Sequence, residues 1–323
     1  MKKSIIVPLI LLMLLPTLSL SIPKIFAETS TELQILPENN FFAANTTASG
    51  TKFVLTVKVV NVEDLMSWQI GVRWNESLLT FSNISIPSDN VFAGQSYITA
   101  GPDTSVPGYV VYGAAIFDPS ATFSGNGTLC QIELEILEIT DVPALCEIAF
   151  DNIGVDTFLL NHEGLDIEGG FTTTSAYFIY EYAYLQTHTV AVGDETFEVS
   201  TYSNGEIEPD SVVALIEDTA IAFNVTGESG HFGFVNVTVP KALLNSDSTW
   251  TVYLNGVETS AQVTSNATHT FIYVEFTFES PIEVKIVGTW IVPEFATIVS
   301  LVTLLMGTTL VTTTIIKLKA RKK

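Results

Sequence analysis

The chain is 323 residues long and 47% hydrophobic, with 20 Phe and 10 Tyr, enough to bury the cores of two ordinary domains and too apolar for a disordered segment. Its formal net charge is −22, and between residues 28 and 292 five basic residues stand against 34 acids, a net of −29. A surface of that sign repels phosphate backbones, which excludes nucleic acid as a partner; divalent cations or adaptation to salt suit it better.

Residues 1–27 begin with Lys2 and Lys3, run through an apolar stretch at 5–20 and leave on Ile25, Phe26 and Ala27 before Glu28. A positive start, an apolar middle and a small-residue exit predict a secretory signal peptide, to be set aside in reasoning about the fold. An uncleaved membrane helix fits less well, because Lys24 and the prolines interrupt the span.

From residue 31 to about 174 the pattern is one of short strands between turn residues. Phe53, Leu55, Val57 and Val59 alternate with Val54, Thr56, Lys58 and Val60, the period of two of a strand with one buried face. Polar residues at 61–65 break that run. Trp68, Ile70, Val72 and Trp74 then alternate with Gln69, Gly71 and Arg73 toward the same core. Further strands are expected at 33–35, 109–117, 128–137 and 145–150, a spacing that predicts a β-sandwich over residues 28–180. Residues 86–107, rich in Ser, Gly, Asp and Pro, read as a long surface loop or a binding loop.

Cys130 is in phase with Ile132, Leu134 and Ile136, and Cys146 with Ile148 and Phe150. Both therefore point to the core. In an exported chain the pair suits a disulfide, which would contribute about 3 kcal/mol in the chain-entropy model; two reduced core cysteines are the alternative.

Residues 176–184, AYFIYEYAY, mark a boundary that reads by alternation as a last strand, or else as an aromatic contact platform. A second β domain follows over residues 181–290, with strands expected near 197–199, 220–225, 232–239, 250–254, 271–278 and 283–287. Asn255-Gly256 is the strongest hairpin signal in the chain. The fold class expected is thus all-β, two tandem β-sandwich domains between a signal peptide and one C-terminal transmembrane helix.

That helix is the uncharged run 296–316, 21 residues, followed by Lys317, Lys319, Arg321, Lys322 and Lys323. At 1.5 Å per residue it suffices for the roughly 30 Å hydrocarbon core, and the basic tail predicts a cytoplasmic C-terminus with the bulk of the chain outside the cell. Pro293, Glu294 and Phe295 precede it, within a terminal segment taken as 291–323. Seven sequons, at Asn45, Asn75, Asn83, Asn126, Asn224, Asn236 and Asn266, lie in the region placed outside. Chance would give about three at this composition, so the excess supports a glycosylated exterior.

The phrases NVEDL (61–65), WQIGVRWNESLLTF (68–81) and GNGTLCQIELEI (125–136) resemble the early and middle strands of cohesin domains, a likeness that runs from about residue 31 to 180. Asn75 stands where that family usually has Asp, and Leu78 and Leu79 supply the apolar residues that follow. The second domain resembles a membrane-proximal β domain of archaeal surface proteins. The order PEF, apolar span, basic tail resembles the C-terminal sorting signals of such proteins.

Groups that could carry catalysis do not converge. His162, His188, His231 and His269 lack zinc spacing, acidic pairs such as Glu133 and Glu135 suit a solvated strand face, and no GxSxG, phosphate loop or EF-hand pattern occurs. No enzyme, metal or cofactor is expected. The cohesin resemblance implies the receptor side of a docking pair, with an extracellular dockerin-like protein as partner. The alternatives are a carbohydrate-binding module on polysaccharide or a purely structural envelope protein. In the family the strand at 67–74, with those matching 109–117 and 145–151, meets the partner. Alternation then nominates Gln69, Arg73, Glu147 and Asp151 as outward residues, and Tyr112 as a further candidate whose phase is open because both sides of its strand are apolar.

Overall fold

The computed structural model describes residues 30–118 and 120–292. Among them every regular element is a strand, and no helix is long and apolar enough to cross a membrane. The expected signal peptide, the Pro293, Glu294, Phe295 motif and the span at 296–316 lie outside the described residues.

Twelve strands build the first sandwich: β1 (Thr31–Leu36), β2 (Asn39–Ala43), β3 (Lys52–Leu65), β4 (Ser67–Arg73), β5 (Leu79–Ser85), β6 (Tyr97–Asp103), β7 (Tyr109–Ile116), β8 (Phe123–Ile136), β9 (Ala144–Phe150), β10 (Phe158–Leu160), β11 (Phe171–Thr174) and β12 (Ala176–Glu181). One sheet runs β11-β1-β3-β8-β5 and the other β2-β12-β9-β4-β7-β6, with β10 added on β4. Their inner faces supply one apolar core. Leu33, Ile35, Leu55, Val57, Ile132 and Leu134 come from the first sheet and Trp68, Ile70, Val72, Ile148 and Phe178 from the second, all buried. Alternate residues of each strand reach that core because the side-chain period is two.

The polar residues 61–65 do not end β3. Asn61 and Asp64 take φ of 54° and 60°, which shifts the register against β8 between Val59, Val62 and Leu65 while the ladder continues. The N–H of Asn61 donates to Asn126 Oδ1 (2.7 Å) and that of Asp64 to Ser124 Oγ (3.0 Å), so the bulged groups stay satisfied. The 86–107 stretch is likewise more than a loop. Residues 97–103 form the edge strand β6, mostly exposed and therefore without an alternating signal.

Cys130 lies on β8 and Cys146 on β9, in opposite sheets, and both are buried free thiols. The disulfide is not formed. Their strands belong to different sheets, and the two buried thiols stand unbridged. Burial pushes both thiols up from their ordinary range, so they behave as small apolar side chains.

After residue 183 the chain starts a second pair of sheets. One holds Tyr184–Val192, Glu195–Ser203, Phe232–Pro240, His269–Thr277 and Gln262–Ser265 in spatial order, and the other Glu206–Ile207, Ala220–Thr226, Ile282–Val287, Thr251–Leu254 and Val257–Thr259. Their core includes Val199, Phe223, Val235, Val237, Ile272, Val284 and Ile286. Asn255 and Gly256 turn the hairpin between Leu254 and Val257 with φ of 49° and 79°, the doubly positive geometry that this pair favours.

The sandwiches meet through Ala43, Ala183 and Phe234, with Phe41, Phe232, Tyr202 and Tyr273 packed around them. Phe41 and Phe234 rings stand 4.6 Å apart. Asn45 Nδ2 donates to Ala183 O at 2.7 Å, and Asn204 Nδ2 donates to Glu181 Oε2 at 3.0 Å.

Candidate docking face

The outward side of β9, β4 and β7 is assembled by register. Residues directly opposite in an antiparallel pair share a face. Arg73 stands against Tyr109, Gly71 against Val111 and Gln69 against Gly113, while β9 brings Ala149 beside Arg73. Across β9 and β12, Leu145 is opposite Ile179 and Glu147 opposite Tyr177. Gln69, Arg73, Glu147 and Asp151 therefore lie on this side. Tyr112 does not. It is opposite Ile70, buried in the core, with its ring 6.0 Å from that of Trp68 in an edge-on arrangement. Val110, Ala114 and Ile116 share its side, so the outward residues of β7 are Tyr109, Val111, Gly113 and Ala115.

At the centre, the turn after β9 folds back over the sheet. The hydroxyl of Thr157, fully buried, accepts from the N–H of Gly71 (3.0 Å) and donates to Asp151 O (2.7 Å). Tyr109 OH donates to Asp156 Oδ2 at 2.9 Å, which also accepts from Asn152 Nδ2 at 2.7 Å. Gln69 Nε2 reaches Asp156 O at 3.3 Å. Only glycine fits at 71, since a Cβ there would land on the Tyr109 hydroxyl and 2.9 Å from Asp156 Cβ. Burial first, then the Asp156 carboxylate, pushes the Tyr109 phenol up to about 12; it is a neutral donor at any physiological pH.

Arg73 Nε lies 3.7 Å from Asp151 Oδ2, both side chains about half exposed. Asp151 is thus the acidic neighbour of Arg73, and an exposed pair of this kind adds at most about 1 kcal/mol to folding. The same side carries exposed apolar residues: Leu145 is 62% exposed, Tyr177 36%, and Ile153 and Val155 on the turn 53% and 71%. Sequence reasoning passed over Leu145, although its phase was available: it alternates with Cys146 and so shares the side of Glu147.

Among the described residues no cluster of His, Cys, Asp and Glu could hold a metal ion. His162 Nδ1 bonds Asp64 at the surface, which pushes the imidazole up and holds the carboxyl down. Of the sequons, Asn45, Asn75, Asn83, Asn126 and Asn266 are exposed, and Asn224 and Asn236 half-buried.

No protein-family model and no curated protein matches the chain. Cohesin domains are among the solved structures to which it is similar. They include the sixth cohesin of scaffoldin B from Acetivibrio cellulolyticus, in complex with a mutant Cel5 dockerin (11% identity, 48% of this chain and 99% of that chain, TM-score 0.37). Others are a type II cohesin from the cellulosome of the same organism (13%, 46% and 95%, TM-score 0.36) and a non-cellulosomal cohesin from Archaeoglobus fulgidus (11%, 47% and 91%, TM-score 0.34).

Proposed function

We propose that the chain is a non-enzymatic binding protein held at the cell surface, whose first sandwich, residues 28–180, docks an extracellular protein through the outward side of β9, β4 and β7. Residues 1–27 direct export, the sandwich at 181–290 spaces the docking domain from the membrane, and 291–323 anchor it or signal its processing. The observation that carries the reading is the mixed character of this side. Exposed Leu145 and Tyr177 share this side of the sheet with the Arg73–Asp151 ion pair and the small residues Gly71 and Gly113. An apolar anchor rimmed by polar groups is the usual anatomy of a protein interface. No sequon lies within β4, β7, β9 or β12 themselves, and Asn75 follows Arg73 by two residues. The sequence resemblance supports a dockerin-type partner.

Sugar stacking is less well served. Tyr109 and Tyr177 belong to strands three places apart in the sheet, about 14 Å at the usual strand spacing, and Tyr109 is tied to Asp156. The test is calorimetry of residues 28–292 against dockerin-type modules and against a partner recovered from the extracellular fraction of the same organism. Binding that Leu145→Asp abolishes is expected. Equal binding by that folded variant and the parent would remove this face from consideration.

A further inference from the structure

The cleft where the sandwiches meet has a volume of about 520 Å³ and is lined by Phe41 and Thr46 on one side and Tyr202, Asn236, Tyr273 and Glu275 on the other. Register places Asn236 between two tyrosines: it is directly opposite Tyr202 on one neighbouring strand and directly opposite Tyr273 on the other. The three share a face, and the outer two stand about 10 Å apart at the usual strand spacing. Phe234, two residues before Asn236, is closed over by Phe41. Asn236 Oδ1 is buried and accepts no hydrogen bond from the protein, whereas Asn75, Asn126 and Asn266 use theirs on backbone N–H groups. Asn236 also heads the sequon Asn236-Val237-Thr238.

A pyranose presents C–H groups on its faces and hydroxyls on its edge. Rings with a few convergent polar groups, in a cleft large enough to admit a sugar, are complementary to it. We infer that this cleft is the seat of an N-linked glycan on Asn236, whose first sugar lies between Tyr202 and Tyr273 and closes the junction of the two sandwiches. Attachment forms the bond from Asn236 Nδ2 to the sugar's anomeric carbon and breaks that carbon's bond to phosphate. The donor is a lipid-linked sugar phosphate, the lipid phosphate is the leaving group, and one amide proton goes to solvent. Because the strand of Asn236 is paired on both sides, attachment precedes its pairing. The edge hydroxyls then meet Glu275 and Thr46, and the cleft holds the sugar as it would a ligand.

The inference rests on the extracellular placement proposed above, and the test separates the two. Glycopeptide mass mapping of the full chain purified from its native membranes should find Asn236 occupied. Thr238→Ala should lose that one glycan and be cut several-fold faster by added protease between residues 181 and 184, while Thr238→Ser, which keeps the sequon, should match the parent; Asn236→Gln checks the result independently. A bare Asn236 beside occupied sequons elsewhere overturns this inference alone. Bare sequons throughout overturn it together with the glycosylated exterior. An occupied Asn236 whose loss leaves cleavage unchanged removes the glycan from the cleft.

Discussion

The two outward faces of the first sandwich cover one core and differ in what they show to solvent. The face of β1, β3, β8 and β5 carries Glu32, Gln34, Lys52, Lys58, Gln131 and Glu133, with Gln34 opposite Lys58 and Lys52 opposite Glu135. Lys52 Nζ lies 3.1 Å from Glu133 Oε1, and Ser82 Oγ donates to the same oxygen at 2.6 Å. Asn83, a sequon, stands on it as well. The face of β9, β4 and β7 has small residues at its centre, an apolar rim and one ion pair. A solvated face needs only charge and alternation. A face that keeps Leu145 more than half exposed at one end and a turn locked onto glycine at the other spends solubility on something else, and contact is the physical reason available.

The largest effect expected is on the core that both faces share. Trp68 is 1% exposed, and Trp68→Ala should cost about 3–5 kcal/mol in denaturant unfolding. A cost under about 1 kcal/mol would mean that the inner and outer sides of β4 are assigned the wrong way round. Next comes a paired test of the faces themselves. Leu145→Asp should weaken partner binding by about 2 kcal/mol or more. Val54→Asp, an apolar residue 46% exposed on the opposite face, should leave it unchanged. Both variants should unfold within about 0.5 kcal/mol of the parent. If Val54→Asp is the one that loses binding, the assignment of the faces is inverted.

Which of these features can be seen in the sequence follows from how each is encoded. Phe53 to Val59 and Trp68 to Trp74 write their inner faces as simple alternation, and Asn255-Gly256 writes its turn in two residues. Tyr112 fails because Val110, Val111 and Ile116 make both sides of β7 apolar, and only the register with Ile70 decides its direction. β6 fails because an exposed edge strand has no buried side to alternate with. Thr157 and Asp156 were out of reach for another reason. Their partners, Gly71 and Tyr109, are 86 and 47 residues away in sequence, and long-range bonds of that kind leave no local pattern.

Arg73→Glu should have a smaller effect, and its division between folding and binding is what it measures. The exposed pair with Asp151 predicts a folding loss of at most about 1 kcal/mol. An interface role predicts a binding loss well above about 1 kcal/mol, from reversed charge beside Asp151 and Glu147. Calorimetry and unfolding on one preparation separate the two. Equal losses in both would reduce Arg73 to a surface ion pair.

The smallest effects sharpen the contrast by pH, because the two faces are tuned at opposite ends of the scale. On the solvated face, the Ser82 hydroxyl first and Lys52 second hold the Glu133 carboxyl below its ordinary range. A depressed acid contributes stability above its unfolded pKa and loses it as pH falls through the folded value, so this face loosens in acid. On the other, Tyr109 is raised from 10.0 to about 12 by burial and then by Asp156. A raised phenol contributes stability that is fully present below its unfolded pKa and is lost as pH climbs through about 12, so the turn at 151–157 loosens in alkali. Phenolate absorbance, taken as the difference between parent and Tyr109→Phe, should show this midpoint near 12, and Asp156→Asn should lower it without bringing it to 10.0, since burial is the larger cause. Hydrogen exchange of the N–H of Gly71, bonded to Thr157, should quicken over the same alkaline interval relative to strands of the opposite face. A Tyr109 midpoint at 10.0 in the parent would mean that the turn does not stay closed over Gly71 in solution, and that the docking surface includes the bare centre of β4.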